Sequence, residues 1–277
     1  MIKCGTYDFT SEELAWRIRK YAVEMCSRSH ASHIGGVLSV ADIVAVLYRS
    51  IANIDPKDPQ NPERDRVFFS KGHNGVAIYA ALAELGFFER DRLATYGENG
   101  SSLSFHVSHK NNPGIELTTG SLGHGVCVAC GSALSGILHQ RAYRVFSIIG
   151  DGECNEGSVW EMAMLAAHHK LHNLTVIIDK NNMQAMGTTK DIINMDPLYD
   201  RWAAFGWNVV DIPDGHDHQA LFNGMSQLSE EKPTVIIAHT IKGKGISFME
   251  NNILWHYRDP QGDLYRAAID ELDKNKP

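Results

Sequence analysis

An aspartate and an asparagine that could hold a metal ion stand thirty positions apart in this sequence. Asp151 lies in a Gly-Asp-Gly tripeptide directly after the apolar run 145–149, and Asn181 lies in an Asn-Asn pair shortly after the apolar run 174–178. A carboxylate and a side-chain amide offer hard oxygen ligands, which suit a divalent cation that is also bound by a diphosphate. This chemistry requires that the two side chains meet.

The elements around these residues predict that they do meet. Both apolar runs are short enough to be buried strands, and the segment between them has the spacing of a helix. The apolar residues on one face of that helix are Val159, Met162, Ala163, Leu165 and Ala166. In a strand-helix-strand unit the crossover brings both strand ends to the carboxyl edge of a parallel sheet, where such sheets bind ligands. We therefore expect Asp151 and Asn181 to be neighbours.

The glycines beside Asp151 favour a phosphate ligand. Gly150 and Gly152 let the backbone approach phosphate oxygens, and a helix beginning near Glu156 would direct its free N–H groups at negative charge. A Gly-Asp-Gly tripeptide alone is more often a simple turn before a helix. The Asn-Asn pair at the end of the next strand favours a magnesium diphosphate site instead.

These motifs resemble a known family. GDGECNEG, followed by NN, resembles the cofactor motif of thiamine diphosphate enzymes, and the sequence from about Thr10 to His256 is similar to the amino-terminal half of transketolase. The resemblance implies thiamine diphosphate as cofactor, held through Mg²⁺, with Ca²⁺ as a substitute. It implies that the metal binds Asp151, Asn181 and the carbonyl of Met183. The residues it places along the cofactor are His73, Gly120, Ser121, Leu122, Gly152, Glu156, Asn181, Lys242 and His256.

The same resemblance implies that four histidines orient the substrate. They are His33, His73, His106 and His256. Imidazoles can donate to a sugar hydroxyl or a phosphate and can move protons near neutral pH. The third position stays open, because His109 lies in the same polar segment, although counting back from the Pro-Gly-Ile-Glu sequence at 113–116 favours His106.

Two neighbours of these histidines depart from the family pattern. Ile34 follows His33 where the family usually has proline, and Tyr257 follows His256 where it commonly has glycine. The first departure puts the backbone path of the loop before the second helix in question. Together they keep open the possibility of a subunit that binds thiamine diphosphate without catalysing a reaction.

Composition excludes several classes of protein. The chain has 277 residues, 43% of them hydrophobic, which is enough to bury a large core. A formal charge of −7 and the lack of a basic run argue against a nucleic-acid partner. We expect no membrane-spanning stretch and find no signal pattern at the N-terminus. Five cysteines, an odd number, suit a reducing compartment, so we expect a cytoplasmic protein.

Alternating strands and helices predict an α/β fold, with a parallel sheet covered by helices on both faces. We expect residues 1–277 to form one diphosphate-binding domain, with a helical N-terminal segment at 10–50 and a short tail at 259–277. The N-terminal segment should hold one helix over 10–27 and a second that starts near Ser39. The predicted strands are 66–69, 145–149, 174–178, 207–212 and 234–238.

Thiamine chemistry also needs a glutamate that engages the aminopyrimidine ring of the cofactor. The resemblance implies that this glutamate belongs to a second domain, before which this chain is expected to stop. The expected protein is thus the diphosphate subunit of a split transketolase, in an α2β2 assembly with a separate subunit that carries the activating glutamate. Glu156 matches a family glutamate at the subunit interface, which implies a role in assembly or proton communication.

The expected reaction is transfer of a two-carbon ketol unit from a ketose, expected to be phosphorylated, to an aldose. A nearer alternative is the α subunit of a 2-oxoacid dehydrogenase or of another thiamine-dependent carboligase, which shares the metal motif. A more distant one is a regulatory subunit that binds thiamine diphosphate. The four histidines and the Gly-rich turn at 120–125 favour transketolase.

Overall fold

A five-stranded parallel sheet lies at the centre of the molecule. The computed structural model describes residues 7–277. The strands are β1 (Arg66–Phe69), β2 (Val145–Gly150), β3 (Leu174–Lys180), β4 (Asn208–Ile212) and β5 (Thr234–His239). Their order in the sheet is β1-β2-β3-β5-β4, and every neighbouring pair is parallel. The predicted α/β class and the five predicted strands are confirmed, with shifts of one or two residues at their ends.

Helices connect the strands and cover both faces of the sheet. They are α1 (Ser11–Ser29), α2 (Ile34–Val46), α3 (Gly75–Glu84), α4 (His124–Leu138), α5 (Gly157–His168), α6 (Thr189–Ile193), α7 (Leu198–Ala204), α8 (His218–Ser226) and α9 (Gly262–Lys274). A π-helical turn, Leu47–Ile51, continues α2. Short 3-10 turns at Gly72–Asn74, Gly152–Asn155 and Ile253–His256 follow strand ends or precede the last helix.

Two hydrophobic clusters flank the sheet because successive side chains of a strand point to opposite faces. Phe146 and Ile148 of β2 pack with α1, α2, α3, α8 and α9. Val145 and Ile149 of the same strand pack with α4, α5 and α7. Since both faces are covered, the residues of β1, β2, β3 and β5 are almost all buried, as expected for a parallel sheet, whereas the edge strand β4 is more exposed.

The register of the sheet aligns the carboxyl ends of its central strands. Gly150, the last residue of β2, pairs with Asp179 of β3, and Asp179 pairs with Ala238 of β5. The loops that follow these three strands therefore leave the sheet side by side. All residues predicted to do chemistry after a strand lie on this one edge.

The second helix does not begin near Ser39, as the sequence suggested. It begins at Ile34 with His33 as its N-cap, so the two glycines that seemed to end a loop lie inside its first turn. The reason is close packing: a Cβ on Gly36 would lie 2.7 Å from the side-chain oxygen of Asn74. Gly36 is there because α2 approaches the loop after β1, and its role is not to break the helix.

The expectation that no apolar stretch is long enough to span a membrane is also wrong. α2 and its π-helical continuation form an apolar stretch of 18 residues, Ile34–Ile51, which by length and composition alone is sufficient to cross a membrane. However, 83% of that stretch is buried inside the protein. Its apolar character is explained by its position between the sheet and the neighbouring helices α1 and α3.

A buried cluster of charged and polar side chains joins α1, α2 and the start of α8. Asp42 accepts hydrogen bonds from the guanidinium of Arg19, and it lies 2.6 Å from Nδ1 of His216 and 3.0 Å from Nε2 of His218. The backbone N–H of Ile241 donates to the second ring nitrogen of His216 at 2.8 Å. Burial opposes the ionisation of Asp42, yet Arg19 and the two histidines hold its pKa well below the usual value.

We expect Asp42→Ala to lower the free energy of unfolding by roughly 3–5 kcal/mol, because Arg19 would remain buried without its counter-charge. Since the folded-state pKa of Asp42 is depressed, its stabilising effect is complete above about pH 4 and is lost as the pH falls through the folded-state pKa. The difference between variant and wild type should therefore shrink in acid. Urea denaturation between pH 3 and 7 measures both effects.

The matched control is Asp273→Ala. Asp273 pairs with Lys20 at 2.8 Å, but its side chain is 47% exposed, so its removal should cost less than about 1 kcal/mol. Equal losses for the two variants would show that the buried cluster does not stabilise the packing of α1, α2 and α8.

Candidate cofactor and substrate site

A cavity of about 340 Å³ opens at the carboxyl edge of the sheet. It is lined by all but two of the residues that the sequence predicted for the site. The predicted residues that line it are His33, His73, His106, Gly120, Leu122, Asp151, Gly152, Asn181, Met183, Lys242 and His256. Residues separated by more than 200 positions in the chain therefore share one cavity, because the loops after the strands converge there.

Ser121 and Glu156 do not line the cavity. Both side chains are exposed. Ser121 lies two positions before Gly123, at which a Cβ would come within 2.9 Å of the Cβ of Glu156. The structure thus places Glu156 on an outer surface beside the glycine-rich turn.

Asp151 begins the loop after β2 and is buried. One carboxylate oxygen accepts the N–H of Gly152 at 2.8 Å, and the other accepts the N–H of Asn182 at 2.6 Å. The second bond joins the loops after β2 and β3, so the predicted neighbourhood of Asp151 and Asn181 is confirmed. Each carboxylate oxygen keeps a further lone pair for a cation.

Asn181 and Met183 supply two further oxygens on the same side of the cavity. The amide oxygen of Asn181 accepts the N–H of Met183 at 3.1 Å, and its amide nitrogen donates to Ser39 at 3.2 Å. The ammonium of Lys242 lies 3.3 Å from the carbonyl of Met183. That carbonyl is therefore already directed at a positive charge. One carboxylate and two neutral oxygens fit Mg²⁺ or Ca²⁺ whose remaining ligands come from a diphosphate.

The electrostatics of this end of the cavity favour a bound cation. Burial, together with the nearby charge of Asp179, raises the pKa of Asp151 to about 6. Burial, together with the nearby charge of Lys71, lowers the pKa of Lys242 to about 8. A divalent cation beside Asp151 would stabilise its ionised form. The anionic diphosphate would do the same for the ammonium of Lys242.

A buried network beneath the cavity was missed by the sequence reasoning. Asp179, which has no exposed surface, accepts hydrogen bonds from the ammonium of Lys71 and from the hydroxyls of Ser39 and Thr240. The amide nitrogen of Asn181 also faces Asp179, at 3.4 Å. The network therefore turns the amide nitrogen of Asn181 toward Asp179 and its amide oxygen toward the N–H of Met183. An aspartate inside a strand of otherwise apolar residues was the signal that could have revealed it.

Glu153 is a second residue that the sequence reasoning undervalued. It is buried beside the cavity and accepts hydrogen bonds from the hydroxyl of Ser70, the N–H of Gly123 at 2.8 Å and the N–H of Gly150 at 3.3 Å. These three groups belong to the loop after β1, the glycine-rich turn and the end of β2. Glu153 thus holds together three of the segments that form the end of the cavity with Asp151 and Lys242, which we call the diphosphate end.

Four histidines form the other end of the cavity. The ring centre of His33 lies 5.2 Å from that of His73, 4.9 Å from that of His256 and 6.1 Å from that of His106. The loop after β1 supplies His73, and the 3-10 turn before α9 supplies His256. The predicted convergence of these four side chains is confirmed by their positions.

Three of these histidines are neutral near pH 7. Burial and the neighbouring His106 and Lys242 lower the pKa of His33 to about 4. Burial and the nearby Lys242 lower the pKa of His256 to about 3. Burial, with Lys71 nearby, places the pKa of His73 well below its usual value. Neutral imidazoles present one N–H donor and one acceptor each, which suits hydroxyl and carbonyl groups of a sugar.

The structure distinguishes His106 from His109. Both residues are exposed, but His106 lines the cavity, whereas His109 does not and its Nδ1 lies 2.7 Å from the hydroxyl of Thr118. Its position in the cavity supports the preference for His106 that came from counting along the chain, and its role in the site stays a prediction.

The departures from the family pattern do not displace the histidines. His33 takes a left-handed conformation, with φ of 75°, and its N–H donates to the carbonyl of His256 at 2.7 Å. The ring of Tyr257 packs edge-on against that of His256, with centres 4.9 Å apart, and lines the mouth of the cavity. Ile34 is fully buried as the first residue of α2.

The fold and the cavity together define a diphosphate-binding α/β protein whose sheet edge joins oxygen ligands for a cation to a cluster of histidines. A family model described as "Transketolase, thiamine diphosphate binding domain" matches residues 10–258. The chain therefore belongs to the transketolase family through its thiamine diphosphate binding domain, and thiamine diphosphate is its cofactor.

Relatives of similar length carry subunit names. The 6-deoxy-6-sulfo-D-fructose transketolase subunit of Clostridium sp. (strain MSTE9) is 41% identical over 93% of this chain and 94% of its own length. An apulose-4-phosphate transketolase subunit of Actinobacillus succinogenes is 42% identical over 96% of this chain and 98% of its own length.

A solved transketolase shows the same fold in a longer protein. The crystal structure of transketolase from Campylobacter jejuni superposes with a TM-score of 0.88 and 29% identity over 95% of this chain. The match spans 42% of that transketolase. This chain thus corresponds to less than half the length of the solved enzyme.

We expect Gly72→Ala to disrupt the histidine end of the site. A Cβ on Gly72 would lie 2.4 Å from the carbonyl oxygen of Thr119, so the segment that leads into Gly120 must move away from the loop that carries His73. Such overpacking typically costs about 1–3 kcal/mol. Thermal denaturation and titration with thiamine diphosphate should show both lower stability and weaker binding.

Gly131→Ala is the control for this prediction. Gly131 lies within α4, and its substitution would meet no atom within 4 Å. Alanine is favoured over glycine in a helix by about 0.5–1 kcal/mol, so this variant should be slightly stabilised. If Gly72→Ala behaved like Gly131→Ala, the close contact between the two loops would not be required.

Proposed function

We propose that this chain is the diphosphate-binding subunit of a split transketolase, which transfers a two-carbon ketol unit from a ketose to an aldose. The observation that carries the proposal is that oxygen ligands for a cation and four histidines line a single cavity. The first group suits the diphosphate of the cofactor, and the second suits a polyhydroxylated substrate. The subunit names of relatives with nearly the same length support the proposal.

The metal in this proposal is Mg²⁺, with Ca²⁺ as a substitute. Asp151, Asn181 and the carbonyl of Met183 would hold it together with the diphosphate. Lys242 would then interact with the diphosphate, for which its ammonium is already placed at this end of the cavity. Gly152 lines the cavity and lets the backbone approach the phosphate oxygens.

The chemistry that thiamine diphosphate supplies when bound is nucleophilic addition of its C2 carbanion to a carbonyl group. The histidines of this chain would orient the substrate and donate hydrogen bonds to oxygens that gain negative charge. His33 and His256 are nearest to each other in the cluster, so they are placed to act on the same group. His73 and His106 extend the polar lining on either side.

A partner subunit completes the proposed enzyme. It would carry the glutamate that activates the aminopyrimidine ring, and two copies of each subunit would form an α2β2 assembly. The exposed positions of Ser121 and Glu156 are compatible with a place at a subunit interface. Free thiols at the cysteines of the described part of the chain suit a cytoplasmic location.

The proposed substrates are sugar phosphates. Of the cations that line the cavity, Lys71 is paired with Asp179 and Lys242 lies at the diphosphate end. Within residues 7–277, no arginine lines the cavity. We therefore propose that the partner subunit supplies the residues that recognise the substrate phosphate. The histidine cluster favours this reaction over that of a 2-oxoacid dehydrogenase subunit, because a sugar presents many more hydroxyl groups to donate to and accept from imidazoles.

We expect the purified chain alone to show no ketol transfer, and activity to appear when the pyrimidine-domain subunit, Mg²⁺ and thiamine diphosphate are added. The reason is that the activating glutamate belongs to the partner. A coupled assay against a panel of ketose and aldose phosphates measures the activity. Turnover by the chain alone would refute the split-subunit proposal.

We expect Asp151→Ala to lose the Mg²⁺-dependent part of thiamine diphosphate binding, because it removes the charged ligand of the metal. Isothermal titration with and without EDTA should show a difference for the wild type and none for the variant. Asp196→Ala is the control. Asp196 does not line the cavity, its side chain is half-exposed, and its one ion pair in the described part of the chain, with Lys180, is long at 3.4 Å. An unchanged Mg²⁺ effect in Asp151→Ala would remove the metal assignment.

A further inference from the structure

The hydroxyl of Ser32 lies 2.8 Å from Nδ1 of His33. Ser32 does not line the cavity and has no other hydrogen-bond partner in the described part of the chain. It therefore touches the histidine cluster through one atom of one ring.

The backbone of His33 is held independently of this contact. Its N–H donates to the carbonyl of His256 at 2.7 Å, and its carbonyl accepts from the side chain of Asn74 at 3.1 Å. A left-handed φ at a residue other than glycine costs free energy and persists only where the surrounding structure enforces it. With the backbone fixed, the remaining freedom of His33 is the orientation of its ring and the position of its proton.

The hydroxyl of Ser32 selects between the two neutral forms of this ring. If Nδ1 carries the proton, it donates to Ser32, and the hydroxyl hydrogen of the half-buried Ser32 has no acceptor among the described residues and can bond only to solvent. If Nε2 carries the proton, the hydroxyl donates to Nδ1 and both groups are satisfied. The second form places an N–H donor of His33 in the cavity.

His256 reaches the same form through a different partner. The ammonium of Lys242 can only donate, and it lies 3.0 Å from Nδ1 of His256. Nδ1 of His256 is therefore the acceptor, so the neutral ring carries its proton on Nε2. His33 and His256, with ring centres 4.9 Å apart, then each carry one N–H donor, and both residues line the same cavity.

We propose that Ser32 is a positioning residue that holds His33 in the Nε2–H form, so that His33 and His256 together donate to a substrate oxygen that gains negative charge. The role in the reaction rests on the proposed ketol transfer, whereas the effect on the proton of His33 does not. Two donors directed at the same oxygen are the arrangement that stabilises an oxyanion.

The first test measures the proton position directly. In the full-length chain labelled with ¹⁵N-histidine, long-range ¹H–¹⁵N spectra separate protonated from unprotonated ring nitrogens, and His33→Gln identifies the signals of His33. We expect an unprotonated Nδ1 in the wild type and in Ser32→Thr, which keeps the hydroxyl. In Ser32→Ala and Ser32→Gly the two forms should mix. A protonated Nδ1 in the wild type, or unchanged signals in both variants, would overturn the proposal.

The second test uses the complex with the partner subunit. Loss of one oxyanion donor typically lowers kcat by a factor of about 10²–10³. Ser32→Ala should remove the Nε2–H form of His33 only in part, so we expect its kcat to fall about three- to tenfold. Affinity for thiamine diphosphate and Mg²⁺ should not change, and Ser32→Thr should restore kcat. Unchanged kcat in Ser32→Ala contradicts the positioning role in the reaction. Absence of transfer in the wild-type complex contradicts the proposed function and the reaction role of Ser32, while the spectra still decide the proton position.

Discussion

The buried ion pair between Lys71 and Asp179 is the interaction on which the site depends. Neither side chain has access to solvent that could replace its partner, so each charge requires the other. The pair also organises its surroundings, because Ser39 of α2 and Thr240 after β5 donate to the same carboxylate. Asn181 is oriented by this arrangement. The orientation of a proposed metal ligand thus depends on a buried charge beneath the cavity.

The cavity combines two ends with opposite electrical requirements. At the end with Asp151 and Lys242, burial raises the pKa of the carboxyl and lowers that of the ammonium. A bound cation would stabilise the ionised form of Asp151, and a bound diphosphate would stabilise the ionised form of Lys242. At the histidine end, burial and the nearby lysines lower the pKa values of His33, His73 and His256 and keep these rings neutral. A neutral, hydrogen-bonding surface beside a charged cofactor site can stabilise a developing oxyanion without attracting free anions, which agrees with the proposed ketol transfer.

Sequence reasoning succeeded where a local pattern is tied to one structure and was wrong where packing decides. The strands were found because β2 and β3 are short and apolar. The start of α2 was misplaced because Gly36 serves close contact with Asn74 and does not end a loop. Ser121 is exposed beside the glycine-rich turn, so its expected place along the cofactor stays a prediction. A motif match places a residue in a segment, but it does not determine the direction of its side chain.

The sequence by itself determined the α/β class and the strand ends that carry Asp151 and Asn181, because periodicity and spacing are properties of the chain alone, and its motifs carried the resemblance to the transketolase family. Only the tertiary structure decided that His106, and not His109, lines the cavity, and that Asp179 orients the side chain of Asn181. Those outcomes depend on residues far apart in the chain whose contacts exist only after the sheet has formed. Burial and hydrogen bonding between such residues follow from the fold and not from any local pattern.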